Sequence, residues 1–179
     1  MARLRIIIDT REQAPWSFDP SSVDVEVGTL KTGDYALAGD LQFGIERKSL
    51  DDFLGTIGKG WKRFERELDR MDAAEWVAKV IIVEGDYVTC FFAQSPDGEI
   101  VSPSHKHFMM TPQFVEKRIA ELTMRGVSVL FATHAHLAAA LAASIFRQRN
   151  HQHKNTNDHT SKDRDTTNSQ LQEGNIGGG

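Results

Sequence analysis

The sequence predicts an α/β fold with a central mixed β-sheet flanked by helices. Three observations predict it. Leu4 to Ile8 and Val80 to Val83 are short, continuous apolar runs that end on acids, as strands buried on both faces do. Val23, Val25 and Val27 alternate with Asp24 and Glu26, the period of a half-buried strand. Trp61, Phe64, Leu68 and Met71 recur at three- and four-residue steps, the period of a helix with one apolar stripe.

The elements follow in order. After the first two strands, Leu41 to Lys48 reads as a strand with Leu41, Phe43 and Ile45 on one face. Glu46 and Lys48 project together from the other face. Ser49 is the expected N-cap of a short helix with Asp51 and Asp52 in its first turn and Phe53, Leu54 and Ile57 inward. The Gly58-Lys59-Gly60 break separates it from the Trp61 to Met71 helix, whose Arg63, Arg66 and Arg70 fall outside the apolar stripe. Val80 to Val83 is the next strand and Glu84-Gly85-Asp86 ends it. Between Tyr87 and Met110, the turn Ser95-Pro96-Asp97-Gly98 predicts a hairpin or flap. Thr111-Pro112 then caps a helix that Gly126 stops, Val127 to Phe131 is a strand, and Thr133 opens a last helix with Leu137, Leu141 and Ile145 inward. An early meander of strands followed by alternating helices and strands is the expected topology.

Composition sets the limits. The chain has 179 residues, 40% of them apolar, enough for one core and hence one domain. A single cysteine, Cys90, excludes an intrachain disulfide and a zinc site of paired thiolates. No run is long enough for a signal peptide or a membrane span, so an intracellular, cytoplasmic protein without membrane partners is expected. The net charge of −4 lacks the basic excess of many nucleic-acid binders, but a local basic face is compatible with an acidic total. From Asn150 the composition turns polar, so residues 1–149 are expected to fold and 150–179 to form a disordered tail. The tail's His151, His153 and His159, and the pairs His105/His107 and His134/His136, offer no identifiable zinc spacing.

The chemistry-bearing residues are concentrated in the first 52 positions. Phosphodiester hydrolysis uses a divalent cation, and a hard cation prefers carboxylate oxygens. Asp34 and Glu46 are acids on neighbouring predicted strands, with Lys48 on the face of Glu46. Taken singly these are common surface residues. Taken together, Asp9-Thr10-Arg11-Glu12, Gly33-Asp34-Tyr35 and Ile45-Glu46-Arg47-Lys48-Ser49 with Asp52 following resemble the signature of the XPF family of structure-selective endonucleases. The resemblance covers residues 4 to 148.

It implies a restriction-endonuclease-like fold of the PD-(D/E)XK superfamily, Mg²⁺ or Mn²⁺ dependence, and cleavage of branched or flapped DNA at single-strand/double-strand junctions. By motif position it implies that Asp34 and Glu46 hold the metal with Asp9 nearby, and that Lys48 acts on the attacking water. Glu12, Arg47 and Asp52 are the remaining catalytic candidates. Arg47 faces away from Glu46 in a flat strand, where holding the site or a phosphate is its natural role. Asp52 fits a capping box with Ser49 equally well. Arg11, Arg63, Arg66 and Arg70 are candidates for DNA phosphates, with solvated surface pairing as the alternative for each. Lys106 and Phe91, Phe92 and Phe108 are further candidates for a clamp.

The family's tandem helix-hairpin-helix domain is not found in this sequence, so further DNA contacts are expected from a homodimer mate, from an accessory partner, or not at all; the resemblance implies that a homodimer would pair through the Thr133 to Gln148 helix. Two other readings stand beside the nuclease: a non-catalytic DNA-binding or scaffold subunit, and a same-fold hydrolase of RNA or duplex ends.

Overall fold

The computed structural model describes residues 3–88, 93–94, 96–101 and 110–153. Six strands form one sheet: β1 (Leu4–Asp9), β2 (Val23–Gly28), β3 (Tyr35–Leu37), β4 (Phe43–Ser49), β5 (Ala78–Glu84) and, later in the chain, β8 (Val127–Ala132). The order is β2-β1-β3-β4-β5-β8. β3 runs antiparallel to β1 and β4, whereas β2 is parallel to β1, and β4, β5 and β8 are parallel to one another. The sheet is therefore mixed, as expected, and helices α1 (Leu50–Ile57), α2 (Trp61–Ala73) and α3 (Pro112–Met124) accompany it.

The expected early meander is only partly present. β1, β3 and β4 form it, but β2 leaves it to become the parallel edge strand. A parallel partner needs a crossover of a dozen or more residues, and the connection 10–22, with Pro15 and Pro20, is long enough to supply one. Edge position also corrects the reading of Val25 and Val27. Val23 is buried, but Val25 is 49% and Val27 69% exposed, since none of the described residues covers that end of the strand. Leu41 was likewise placed in a strand and lies instead before β4, 89% exposed.

The core on the face that bears Glu46 and Lys48 joins Phe53, Leu54 and Ile57 of α1 to Trp61, Phe64, Leu68 and Met71 of α2, and both to Ile81 and Val83 of β5. The helical spacing read from the sequence is thus the buried face. Ser49 caps α1 by accepting from the Asp52 N–H at 3.1 Å, and Thr111 caps α3 by accepting from Phe114 N–H at 3.2 Å. Gly44 of β4 is required by packing: a Cβ there would come within 2.9 Å of the Trp76 ring and 3.1 Å of the Tyr35 carbonyl oxygen.

A short hairpin of β6 (Ala93–Gln94) and β7 (Ile100–Val101) brackets the predicted turn, with Gly98 at φ 88°. Cys90, the His105/His107 pair and the clamp candidates Phe91, Phe92, Lys106 and Phe108 lie outside the described residues. Packing divides the chain into Met1–Ala143 and Ser144–Gly179. A fourth helix, α4, occupies 135–153. Its first part buries Ala138, Ala139, Ala142 and Ala143; of the residues expected inward, Leu137 is 46% exposed and Leu141 half-buried, and Ile145 in the second unit is half-buried, so alanines make up the buried stripe. In the second unit Phe146 is buried. The helix runs past the expected boundary at residue 149 to 153, and the tail from 154, with His159, lies outside the described residues.

Candidate active site

The strand ends build the site. Gly33, at φ 80° where a side chain would be strained, turns the chain so that Asp34 enters β3 next to β4. The pairing Tyr35↔Ile45 is antiparallel, which brings Asp34, just before β3, alongside Glu46, just after Ile45. Backbone bonds from Asp34 N–H to the Ile45 carbonyl at 3.0 Å and from Asp9 N–H to the Asp34 carbonyl at 2.8 Å fix that placement between β1 and β4. Asp34, Glu46 and Lys48 line a common cleft of about 820 Å³ with Arg11, Glu12, Arg47, Asp52 and Arg63.

Electrostatics distinguish the two acids. Oδ2 of Asp34 accepts from the Arg47 N–H at 2.8 Å. Burial, then the neighbouring charge of Glu46, nonetheless push its carboxyl from an ordinary 3.8 up to about 7. Glu46 Oε1 accepts from Lys48 Nζ at 2.8 Å, and Lys48 Nζ also lies 5.9 Å from the centre of the Phe64 ring of α2. Asp34 and Glu46 bring carboxylate oxygens together in the cleft, a donor set that suits a hard cation. Among the described residues no three His, Cys, Asp or Glu side chains form a metal-holding group; Asp34 and Glu46 are two of the carboxylates lining the cleft that could take part in holding an ion.

Asp9 is elsewhere employed. Its side chain is 1% exposed, and its Oδ1 accepts from Arg11 N–H at 2.8 Å and Arg11 Nε at 2.6 Å. Its Oδ2 accepts from Leu30 N–H at 2.6 Å and Arg11 Nη2 at 3.1 Å. The Arg11 guanidinium, with the backbone donors, holds this carboxyl down at about 2 against its burial. All this makes Asp9 a brace for Arg11 and the 29–30 loop, and it does not line the cleft. Arg11, 68% exposed, is held at the cleft's rim with Nη2 also donating to the Leu30 carbonyl at 2.8 Å.

Arg47 is held in the same manner. Its Nε and Nη2 donate to the two oxygens of Glu84 at 2.7 and 3.1 Å, and Nη1 reaches Glu12 at 3.4 Å. Glu12 also accepts from Ala14 N–H at 2.7 Å. Glu84 accepts from the Trp16 indole N–H at 2.5 Å, while the Trp16 ring stacks on Tyr35 with centroids 4.4 Å apart. Burial pushes the Glu84 carboxyl up, and the Arg47 and Trp16 bonds outweigh it, leaving it below its usual value. Asp52 makes the capping contact considered for it: the Ser49 hydroxyl donates to its carboxylate at 2.7 Å while accepting from its N–H.

The three arginines of α2 do not form one patch. Arg63 lines the active-site cleft and Arg70 a second groove beside Leu30 and Trp76, while Arg66 lines neither. Two acids escaped the sequence reading. Glu84 was read only as a strand end, although ends of parallel strands are where α/β sheets place their sites. Glu67, half-buried on α2 at the margin of the apolar stripe, has its carboxyl raised by burial and then by Glu46. Only the tertiary packing of α2 against β4 reveals it.

The family model of the ERCC4 domain matches residues 8–156. Among solved structures the chain is similar to XPF from Aeropyrum pernix, at TM-score 0.57 and 22% identity over 81% of this chain and 61% of that one. It is also similar to XPF from Aeropyrum pernix in complex with DNA, at TM-score 0.59 and 23% identity over 84% of this chain and 66% of that one. The chain therefore spans roughly six-tenths to two-thirds of the length of these structures. No curated protein matches it.

Proposed function

The chain belongs to the ERCC4 domain family, and we propose that it is a metal-dependent endonuclease that binds DNA and hydrolyses phosphodiester bonds in branched or flapped substrates. The observation that carries this reading is the register that sets Asp34 against Glu46 with Lys48 beside them, in a cleft rimmed by Arg11 and Arg63. The DNA bound by the similar XPF structure supports a nucleic-acid ligand.

In this reading Asp34 and Glu46 would hold a Mg²⁺ or Mn²⁺ ion, which when bound would lower the pKa of water and neutralise charge on the phosphate. The oxygen of Asp34 that does not meet Arg47 and the oxygen of Glu46 that does not meet Lys48 are the available ligands. Lys48 orients the attacking water and stabilises charge as it develops. Arg11, held from behind by the buried Asp9, and Arg47, held by the half-buried Glu84, meet phosphate oxygens with their remaining N–H donors. Asp9, Glu12 and Asp52 act on the arginines and the α1 start and not on the metal. Arg63 extends the basic rim along α2.

The deciding experiment is single-turnover cleavage of labelled flap, fork, junction, duplex and single-stranded DNA, with Mg²⁺, Mn²⁺ or chelator, for the wild type and Glu46→Ala. Metal-dependent cutting of the branched substrates that Glu46→Ala abolishes is expected. Full cleavage by Glu46→Ala would sink the assignment. DNA binding without cutting under any metal would make the chain a non-catalytic DNA-binding subunit.

A further inference from the structure

We propose that Glu84, with Trp16 behind it, is a positioning residue that presents the Arg47 guanidinium to the substrate phosphate; the proposal rests on the nuclease reading above. Glu84 ends β5, in register with Ser49 of the neighbouring parallel strand β4, so its carboxylate reaches Arg47 two positions earlier in that strand. Both side chains are 18% exposed, too enclosed for solvent to mask their pairing. The contact is bidentate through Nε and Nη2, the arrangement that fixes the plane of a guanidinium as well as its position.

That choice of edge has a chemical consequence. An arginine has five N–H donors; Glu84 takes one from Nε and one from Nη2, and Glu12 takes one from Nη1 at 3.4 Å. One N–H on Nη1 and one on Nη2 remain, and Arg47 lines the cleft. These two donors are left to meet the oxygens of a phosphate. The Arg47 main chain simultaneously holds Asp34 through the 2.8 Å bond to Oδ2. Glu84 thus fixes the side chain of a residue whose backbone fixes a proposed metal ligand. The 2.5 Å bond from Trp16 Nε1 to Glu84 Oε1 and the stacking of Trp16 on Tyr35 brace the carboxylate itself.

The test combines two readouts. The first needs no activity: in a ¹⁵N spectrum the Arg47 Nε–H is expected to be resolved and slow to exchange in the wild type, and exchange-broadened in Glu84→Gln. The second is a double-mutant cycle of Glu84→Gln and Arg47→Ala in single-turnover cleavage at saturating DNA and metal. Glu84→Gln is expected to lower the rate about 10- to 10²-fold, the scale of an angstrom's misplacement, and to have no further effect when Arg47 is already alanine. Trp16→Phe, which keeps the stacked ring and loses the donor, should give a smaller loss of the same sign and serves if Glu84→Gln does not fold. An unchanged Arg47 signal in Glu84→Gln, or equal rate losses from Glu84→Gln in both backgrounds, overturns the proposal. A wild type that neither binds nor cuts DNA overturns the nuclease reading and with it the phosphate role, while the spectrum still decides whether Glu84 orients Arg47.

Discussion

Replacing Asp34 with asparagine should stabilise the protein in the absence of divalent metal, and only above mildly acidic pH. Burial and Glu46 push the folded carboxyl from 3.8 to about 7. The folded state therefore holds this proton more tightly than the unfolded chain does. Its stabilising effect is complete below about pH 4 and is lost as pH rises through 7. Each pKa unit corresponds to about 1.4 kcal/mol, which puts the ceiling for ionising Asp34 in the fold at about 4 kcal/mol. Glu46 shares that cost, so about 2 kcal/mol is the expected gain, or roughly 4–8 °C in Tm for a domain of this size. Asparagine keeps an oxygen for the Arg47 N–H and removes only the charge. The assay is thermal unfolding by circular dichroism in chelator from pH 4.5 to 8.5, repeated with Mn²⁺. Asp34→Asn should melt above the wild type at pH 8.5, the two should converge near pH 4.5, and Mn²⁺ should raise only the wild type. A difference of the same size at both pH values, or a variant less stable throughout, would refute the reasoning.

Lys48→Ala should retain metal and DNA binding, read by titration and anisotropy, while its single-turnover rate falls on the order of 10²-fold or more. Asp9→Asn should cost about 2 kcal/mol at pH 7, because its folded carboxyl at about 2 lies below the ordinary 3.8. That advantage is present above pH 4 and disappears as pH falls through 2, so urea unfolding at pH 7 and at acidic pH checks both size and sign. Arg63→Gln should weaken DNA binding and flatten its log–log salt dependence by about one unit, whereas Arg66→Gln, outside the cleft, should change the slope less.

Much of this was legible from residue order alone. The apolar stripe of α2 and the run in β5 could be read because burial imposes a period of 3.6 on helices and continuous apolarity on covered strands. The motif residues Asp34, Glu46 and Lys48 were legible because their types and spacing match one chemistry, and strand alternation by itself puts Glu46 and Lys48 on one face. What only the tertiary structure decided is which strands became neighbours. Val25 and Val27 alternate as a half-buried strand should, yet β2 lies at an edge, and local period carries no information about what covers a face. The alanine stripe of α4 is inward for the same reason: residue size reports close packing only once a neighbour is known. Partner choice was equally illegible. Asp9 lies in the motif but its oxygens are taken by Arg11 and Leu30, and Glu84, outside the motif, holds Arg47 from 37 residues away. A carboxylate's role depends on what lies within about 3 Å of it, and that distance is set by the sheet, not by the order of residues.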